Sequence, residues 1–228
     1  MIRKIFLDLD DTIFDFKAAE RLAITKTLSE FGFVATEETI ARYSEINRLQ
    51  WERLERGEAS REEILSKRFD ILFSELGLSA RGCEVKAVYE KNLSGCAPII
   101  PGAIELLEAL FTKYDLYLAS NGTAKVQDGR LAISGIGKYF KNIFISERVG
   151  YNKPRREFFE ECIKEIPDFS FSEAIIVGDS ITSDIRGGKN AGILTCLYNP
   201  KGKAFEKEDA PDYEIRKLSE LPTLLEKI

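Results

Sequence analysis

The stretch IFLDLDDTIFDF, residues 5–16, runs from an apolar segment into three acids, Asp8, Asp10 and Asp11, inside four positions. Residues 2–9 have the apolar, branched character of a buried strand, so the acids fall at its carboxyl end. Clustered charge at such a place needs a physical reason. Two carboxylates about 4 Å apart repel by about 4 kcal/mol at an effective dielectric of about 20. Alone, DLDDT reads equally well as a turn with solvated acids, so its meaning depends on what the rest of the chain brings beside it.

Downstream the period changes. FKAAERLAITKTLSEFGF spaces Ala19, Leu22, Ala23, Ile24 and Leu28 as one helix face. TEETIARYSEINRLQWERLERG starts at Thr36 as N-cap and ends before Gly57, and SREEILSKRFDILFSELG carries a capping box at Ser60 and Glu63 with Gly77 as its stop. RGCEVKAVYEKNLSG is a weaker fourth helix. After APIIPG the chain alternates: a helix over residues 102–113, a strand in DLYLASNG, a helix in AKVQDGRLAISG and a strand in NIFIS. A helix follows in KPRREFFEECIKEI with Pro154 in its first turn, then a strand in EAIIVGDS and a helix over 184–191. ILTCLY and YEIRKL complete the strands. Alternation of this kind predicts an α/β fold, a Rossmann-like parallel sheet with helices on both faces. The helical block is then an insertion: residues 1–15 and 98–228 form the core, residues 16–97 a four-helix cap, and the links near Asp15 and Gly95–Pro101 a hinge.

Composition narrows the chemistry. Of 228 residues, 44% are hydrophobic and 31% charged, enough for a packed core. The net charge of −5 leaves no basic footprint for a nucleic acid polymer. No apolar run approaches the roughly 18 residues that span a membrane. Cys83, Cys96, Cys162 and Cys196 form no C-x-x-C pair, and nothing before the first strand resembles a signal peptide; the expectation is a cytoplasmic protein with reduced cysteines serving as core filler. There is no histidine, which excludes Ser-His-Asp catalysis and imidazole metal sites. Any metal must be held by oxygen, the donor set of hard cations such as Mg²⁺.

Ligands of parallel sheets bind beyond the carboxyl ends of the strands. Asp8, Asp10 and Thr12 follow the first strand, Ser120, Asn121 and Gly122 the second, Lys153 comes after NIFIS, and Gly178, Asp179, Ser180 and Asp184 follow EAIIV. A divalent cation, helped by Lys153, would offset the repulsion among these acids. The order DLDDT, SNG, KP, GDSITSD resembles the four motifs of the haloacid dehalogenase (HAD) superfamily. SGIGKYFKNIFISERVGYNKP and GDSITSDIRGGKNAGILTCLYNP are similar to its pyrimidine 5′-nucleotidase branch, which has a helical C1-type cap. The resemblance covers about two-thirds of the chain, and in the cap only in kind.

The resemblance implies a role for each matching position. Asp8 is the nucleophile that becomes an aspartyl phosphate, and Asp10 the acid-base that protonates the leaving oxygen and then activates water. Ser120 binds phosphate, where the branch usually carries Thr, with the amides of Asn121 and Gly122 beside it. Lys153 neutralises nucleophile and phosphoryl group. Asp8, Asp179 and the Asp10 backbone carbonyl hold Mg²⁺, and Asp184 either binds it through water or holds Lys153. The implied activity is a Mg²⁺-dependent phosphatase acting on a small phosphorylated metabolite, a nucleoside monophosphate first and a phosphosugar or phosphoglycolate-type ester second. A 2-haloacid dehalogenase would lack the acid at Asp10, and a non-catalytic relative would have lost an acid or Lys153. In the cap, Arg48, Trp51 and Arg53 read as packing or solvated face rather than as ligands, while Phe14 and Phe16 suit the pocket and the hinge equally. Gly187, Gly188 and Gly192 read as helix–sheet packing and turns, since no phosphate-loop motif is present. Oligomeric state is left open.

Overall fold

In a computed structural model describing residues 1–228, β1 (Lys4–Leu7) is buried along its whole length. A strand covered on both faces must be almost continuously apolar, and KIFL complies; Lys4 sends its ammonium out to the Asp168 carbonyl at 3.0 Å. Around it lie β2 (Asp115–Ser120), β3 (Asn142–Ile145), β4 (Ala174–Gly178), β5 (Leu194–Tyr198) and β6 (Tyr213–Ile215) in the order β3-β2-β1-β4-β5-β6, every pair parallel. Leu7 sits in register between Leu118 and Val177. The connection order reverses between β1 and β4, so the crevice for a ligand opens at their carboxyl ends.

Four helices follow β1 in the chain before the sheet resumes: α1 (Phe16–Glu30), α2 (Glu37–Glu55), α3 (Arg61–Glu75) and α4 (Gly82–Ser94). Asp15 caps α1 through the Ala18 amide at 2.9 Å, and Thr36 caps α2 through the Thr39 amide at 3.2 Å. Ser60 caps α3 through the Glu63 amide at 3.2 Å, but only half of the expected box forms, because the Glu63 carboxylate turns to Arg53 at 3.5 Å. The helices bury their own apolar cluster, in which Tyr43, Phe69 and Tyr89 meet with ring centroids 5.2–5.5 Å apart. Val126 from the core joins this cluster and ties the cap to the sheet layer. The two chain crossings run side by side: the Asp15 amide donates to Pro98 and the Ile100 amide to Ile13, each at 2.9 Å.

The remaining helices are α5 (Ala103–Leu110), α6 (Ala124–Ser134), α7 (Ser146–Val149), α8 (Arg156–Lys164), α9 (Arg186–Ala191) and α10 (Leu221–Leu225). Side chains from α5, α6 and α10 cover one face of the sheet, and α8 with α9 covers the other. Gly188 lets α9 press on the sheet, since a Cβ there would lie 2.6 Å from Ile176 and Thr195; Gly192, at φ +77°, ends that helix. Some local expectations are corrected. Pro154 is not in the first turn of α8; it follows a cis Lys153–Pro154 bond two residues before that helix begins. The short helices α7 and α10 carry too few residues for a periodic signal. Cys162 and Cys196 are buried filler, but Cys83 is exposed and Cys96 half-buried. No helix is long and apolar enough to cross a membrane.

Candidate active site

The chain delivers its acids to the crevice by ending strands there. Asp8 leaves β1 and Asp179 leaves β4, neighbouring strands in the sheet. Asp184 reaches the same point from the π-helical turn Ile181–Ile185, whose start is held by the Ser180 hydroxyl accepting from the Ser183 amide. Carboxylate oxygens of Asp8, Asp179 and Asp184 all lie within 4.8 Å of one another. Lys153 is buried between them, its ammonium 2.7 Å from Asp8 Oδ1, 2.6 Å from Asp184 Oδ1 and 2.5 Å from the Ala119 carbonyl. Gly178 makes room for this arrangement, because a Cβ there would stand 2.2 Å from Asp184 Oδ2.

Burial pushes the Asp8 carboxyl up to about 7, with Lys153 pulling against it and Asp184 adding to it. Asp179 is held well above the usual carboxylate range by burial and then by Asp8 and Asp184. Burial alone would lower Lys153, but Asp184 and Asp8 outweigh it and raise the ammonium above its ordinary value. One lysine therefore serves two acids, and the Asp179 carboxylate accepts no hydrogen bond from the protein. Three converging carboxylates, one of them unpartnered, make an oxygen-only donor set that fits a hard divalent cation.

The residues expected to hold phosphate also converge. Ser120, at the end of β2, receives the Gly122 amide at 3.1 Å and the Gln127 amide nitrogen at 2.9 Å. The Asn121 side chain has a purpose of its own, beside the backbone amide expected at the phosphate: Nδ2 donates to the Lys153 carbonyl at 2.8 Å, and Oδ1 accepts from the Lys153 amide at 2.9 Å. It fixes the backbone of Lys153. Asp184, with Lys153 on one oxygen and the Ser180 amide at 3.1 Å on the other, adopts the lysine-holding role.

Asp10, expected to meet the metal through its backbone carbonyl, places its side chain elsewhere. Its carboxylate lies outside the converging group and turns to α6, where Gln127 donates to Oδ2 at 2.7 Å and Arg130 pairs with Oδ1. An attached cation outcompetes the acid cluster, whose charge repels Asp10. Arg130 is wholly buried, and its Nη2 has no acceptor; leaving a buried donor unpaired costs roughly 1–3 kcal/mol. Gln127 and Arg130 were not anticipated, although two polar residues at i and i+3 on a half-buried helix were the available signal. Asp11, at φ +59°, swings away to Lys17 at 2.8 Å. Thr12 is buried with its hydroxyl unpartnered.

Over these groups lies a cavity of about 190 Å³, roofed by Phe16, Trp51, Glu55, Leu65, Arg68 and Glu90 from the cap. Trp51 thus lines the cavity, while Arg48 pairs with Glu52 and Arg53 with Gln50 and Glu63 outside it. Phe16 does both jobs left open to it, lining the cavity and packing on Arg130. Cap meets core through Arg61, which donates to the Asn121 carbonyl at 2.8 Å and the Ser146 hydroxyl at 2.5 Å, and through Thr182, which donates to Glu55 at 2.7 Å.

The chain resembles known proteins over nearly its whole length. The chain is 40% identical to the HAD-hydrolase YfnB of Bacillus subtilis, across 98% of this chain and 95% of that one. A crystal structure of YfnB bound to magnesium, described as revealing interdomain movement, superposes with a TM-score of 0.94 at 40% identity, covering 98% of both chains. The pyrimidine 5′-nucleotidase PynA of Streptococcus pneumoniae is 38% identical over 98% of this chain and 94% of its own length. The pyrimidine 5′-nucleotidase YjjG of Escherichia coli is 30% identical over 97% and 96%. The family model for haloacid dehalogenase-like hydrolases matches residues 2–192. With its four strand-end motifs gathered in one crevice, the chain belongs to the haloacid dehalogenase-like hydrolases.

Proposed function

We propose that this hydrolase is a Mg²⁺-dependent phosphatase that works through an aspartyl phosphate on Asp8 and takes small nucleoside monophosphates. The observation that carries the reading is the meeting of Asp8, Asp179, Asp184 and Lys153 within hydrogen-bond or ligand distance at one end of the sheet. Asp8 Oδ1 is occupied by Lys153 while Oδ2 accepts from no protein donor, leaving one oxygen to attack phosphorus. Asp8, Asp179 and the Asp10 backbone carbonyl, with Asp184 through water, would hold Mg²⁺, which would supply positive charge against the phosphoryl oxygens. Lys153 adds to that charge, and Ser120 with the Asn121 and Gly122 amides orients the phosphoryl group; phosphoryl transfer needs positioning and charge stabilisation more than covalent chemistry. Asp10 carries the proton to the leaving oxygen and later takes one from water. Residues 16–97 act as a cap hinged at its paired crossings, closing the cavity against water.

The nucleoside preference is supported by the likeness to the two pyrimidine 5′-nucleotidases and by a cavity that sets aromatic Phe16 and Trp51 beside polar Arg68 and Glu90. The test is phosphate release from a panel of pyrimidine and purine monophosphates, sugar phosphates and phosphoglycolate, with Mg²⁺ and with chelator. Pyrimidine monophosphates are expected to lead by kcat/KM, with no turnover in chelator and none for Asp8→Asn. Faster sugar phosphate hydrolysis would replace the substrate; undiminished turnover by Asp8→Asn would remove the nucleophile.

A further inference from the structure

We infer that Gln127 and Arg130 of α6 form a clamp that positions the Asp10 carboxylate for proton transfer and ties that position to the two crossings of the cap. The inference rests on the phosphatase reading above, in which Asp10 is the acid-base.

The clamp is built from several contacts that do not repeat one another. Gln127 Nε2 donates both to Asp10 Oδ2, at 2.7 Å, and to Ser120 Oγ, at 2.9 Å, so a single amide spaces the proton-transfer group from the hydroxyl at the phosphate position. Its Oε1 accepts from Arg130 Nη1 at 3.1 Å, and the same Nη1 holds Asp10 Oδ1. Both side chains are almost fully buried, and Gly122 leaves room for Gln127, since a Cβ there would stand 2.1 Å from its Nε2.

Arg130 also touches both strands of the cap connection. Its guanidinium carbon lies 4.6 Å from the Phe14 ring centroid and 5.9 Å from that of Phe16, on the outward crossing. Its Nε donates at 3.0 Å to the Cys96 carbonyl, on the return crossing. Arg130 itself is anchored in core helix α6. Any displacement of the crossings as the cap opens therefore changes the surroundings of the one cation that holds Asp10. Nη2 remains unpartnered beside the cavity. Both Asp10 oxygens are occupied by donors, so one of them must come free of the clamp and turn toward the leaving group for a proton to be exchanged there. The vacant Nη2 lets the guanidinium keep hold of the carboxylate while it turns. Gln127 and Arg130 are thus positioning residues that act through Asp10.

Leaving-group dependence separates this role from plain structural support. A nitrophenolate leaves without a proton, whereas a nucleoside or alkyl alkoxide needs one, and kcat/KM reads only the steps up to leaving-group departure. The variants are Asp10→Asn, Arg130→Lys and Gln127→Met, assayed with p-nitrophenyl phosphate and a nucleoside monophosphate, with folding checked by circular dichroism. Asp10→Asn is expected to lose about 10²–10⁴-fold on the monophosphate, the usual worth of acid-base catalysis, and far less on the nitrophenyl ester. Arg130→Lys and Gln127→Met are expected to repeat that pattern with a loss of about tenfold or more on the monophosphate, mainly in kcat. Adding either to Asp10→Asn should cost nothing more, because the group they position is already gone. Gln127→Met, uncharged and similar in shape, carries the test if Arg130→Lys does not fold. Equal losses on both substrates, or losses that add to that of Asp10→Asn, would overturn the clamp while leaving the phosphatase intact. Absence of leaving-group dependence in Asp10→Asn itself would instead remove the acid-base assignment on which the clamp stands.

Discussion

Asp10 and Asp11 are adjacent, yet one enters the site and the other leaves it, because the backbone turns through the left-handed region at Asp11. Asp tolerates that conformation better than most residues, so the turn needs no glycine and the acid still serves, pairing with Lys17 at the start of α1. Glycine is required elsewhere for a different reason, lack of space. Gly178→Ala forces a methyl against Asp184, which anchors Lys153; kcat is expected to fall on the order of 10²-fold, as a displacement of about 1 Å near the chemistry does. Gly188→Ala forces a methyl against Ile176 and Thr195, behind the sheet and away from the acids. It is expected to lower stability by roughly 1–3 kcal/mol while the folded fraction keeps its kcat. Thermal melts and steady-state kinetics on the two variants check the contrast. Asn121→Ala, by freeing the Lys153 backbone, should lower kcat as well as weaken phosphate binding; unchanged inhibition by inorganic phosphate together with unchanged kcat would show that Lys153 holds its place unaided.

Among the elements, α3 matters more than its distance from the acids suggests. Ser60 caps it, and the next residue, Arg61, is delivered to the core, where it meets Asn121 and Ser146 and lies 5.5 Å from the Trp51 ring centroid. These bonds, with Thr182–Glu55, join cap to core through residues other than those of the crossings. Charged hydrogen bonds are worth roughly 1.5–3 kcal/mol, so Arg61→Ala should favour the open cap and raise KM by roughly tenfold or more. If KM for the preferred monophosphate is unchanged, Arg61 does not hold the cap closed. The turn Ile181–Ile185 plays the matching part below, presenting Asp184 and Thr182 on one short segment, the first inward to Lys153 and the second outward to the cap.

For the whole molecule, the consequence of gathering acids is a stability that depends on pH and on metal. Asp8 is raised to about 7 and Asp179 well above the ordinary carboxylate range. The folded metal-free chain therefore binds these protons more tightly than the unfolded chain, whose aspartates release theirs near pH ~4. As pH rises from there toward about 7 the unfolded state sheds protons first, and this contribution to stability, complete at low pH, is lost. Mg²⁺ takes the place of the protons. The rise in Tm on adding saturating Mg²⁺ is accordingly expected to be small near pH 5 and to grow through pH 8; a rise independent of pH would mean that these carboxylates do not hold the metal. The expected preference for Asp8→Asn is the reverse, a metal-free form more stable than the parent above neutrality.

What the sequence by itself determined is the order of strands and helices, the insertion after β1, the oxygen-only character of any metal site and the identity of the acids at the strand ends. Each follows from local signals: periodicity, caps, glycine stops, the absence of histidine, and charge placed directly after an apolar run. Asp8, Ser120, Lys153, Asp179 and Asp184 were legible because a parallel sheet sends all its carboxyl ends to one edge. What only the tertiary structure decided are the roles that depend on neighbours distant in the chain. The Asn121 side chain, just past β2, holds Lys153 in the segment between α7 and α8, Trp51 faces the cavity, Arg61 bridges cap and core, and the Asp10 carboxylate meets Gln127 and Arg130. The physical reason is that a side chain's partner is chosen by packing in three dimensions. A buried guanidinium more than a hundred positions away captures the Asp10 carboxylate, and no spacing in the sequence encodes that meeting.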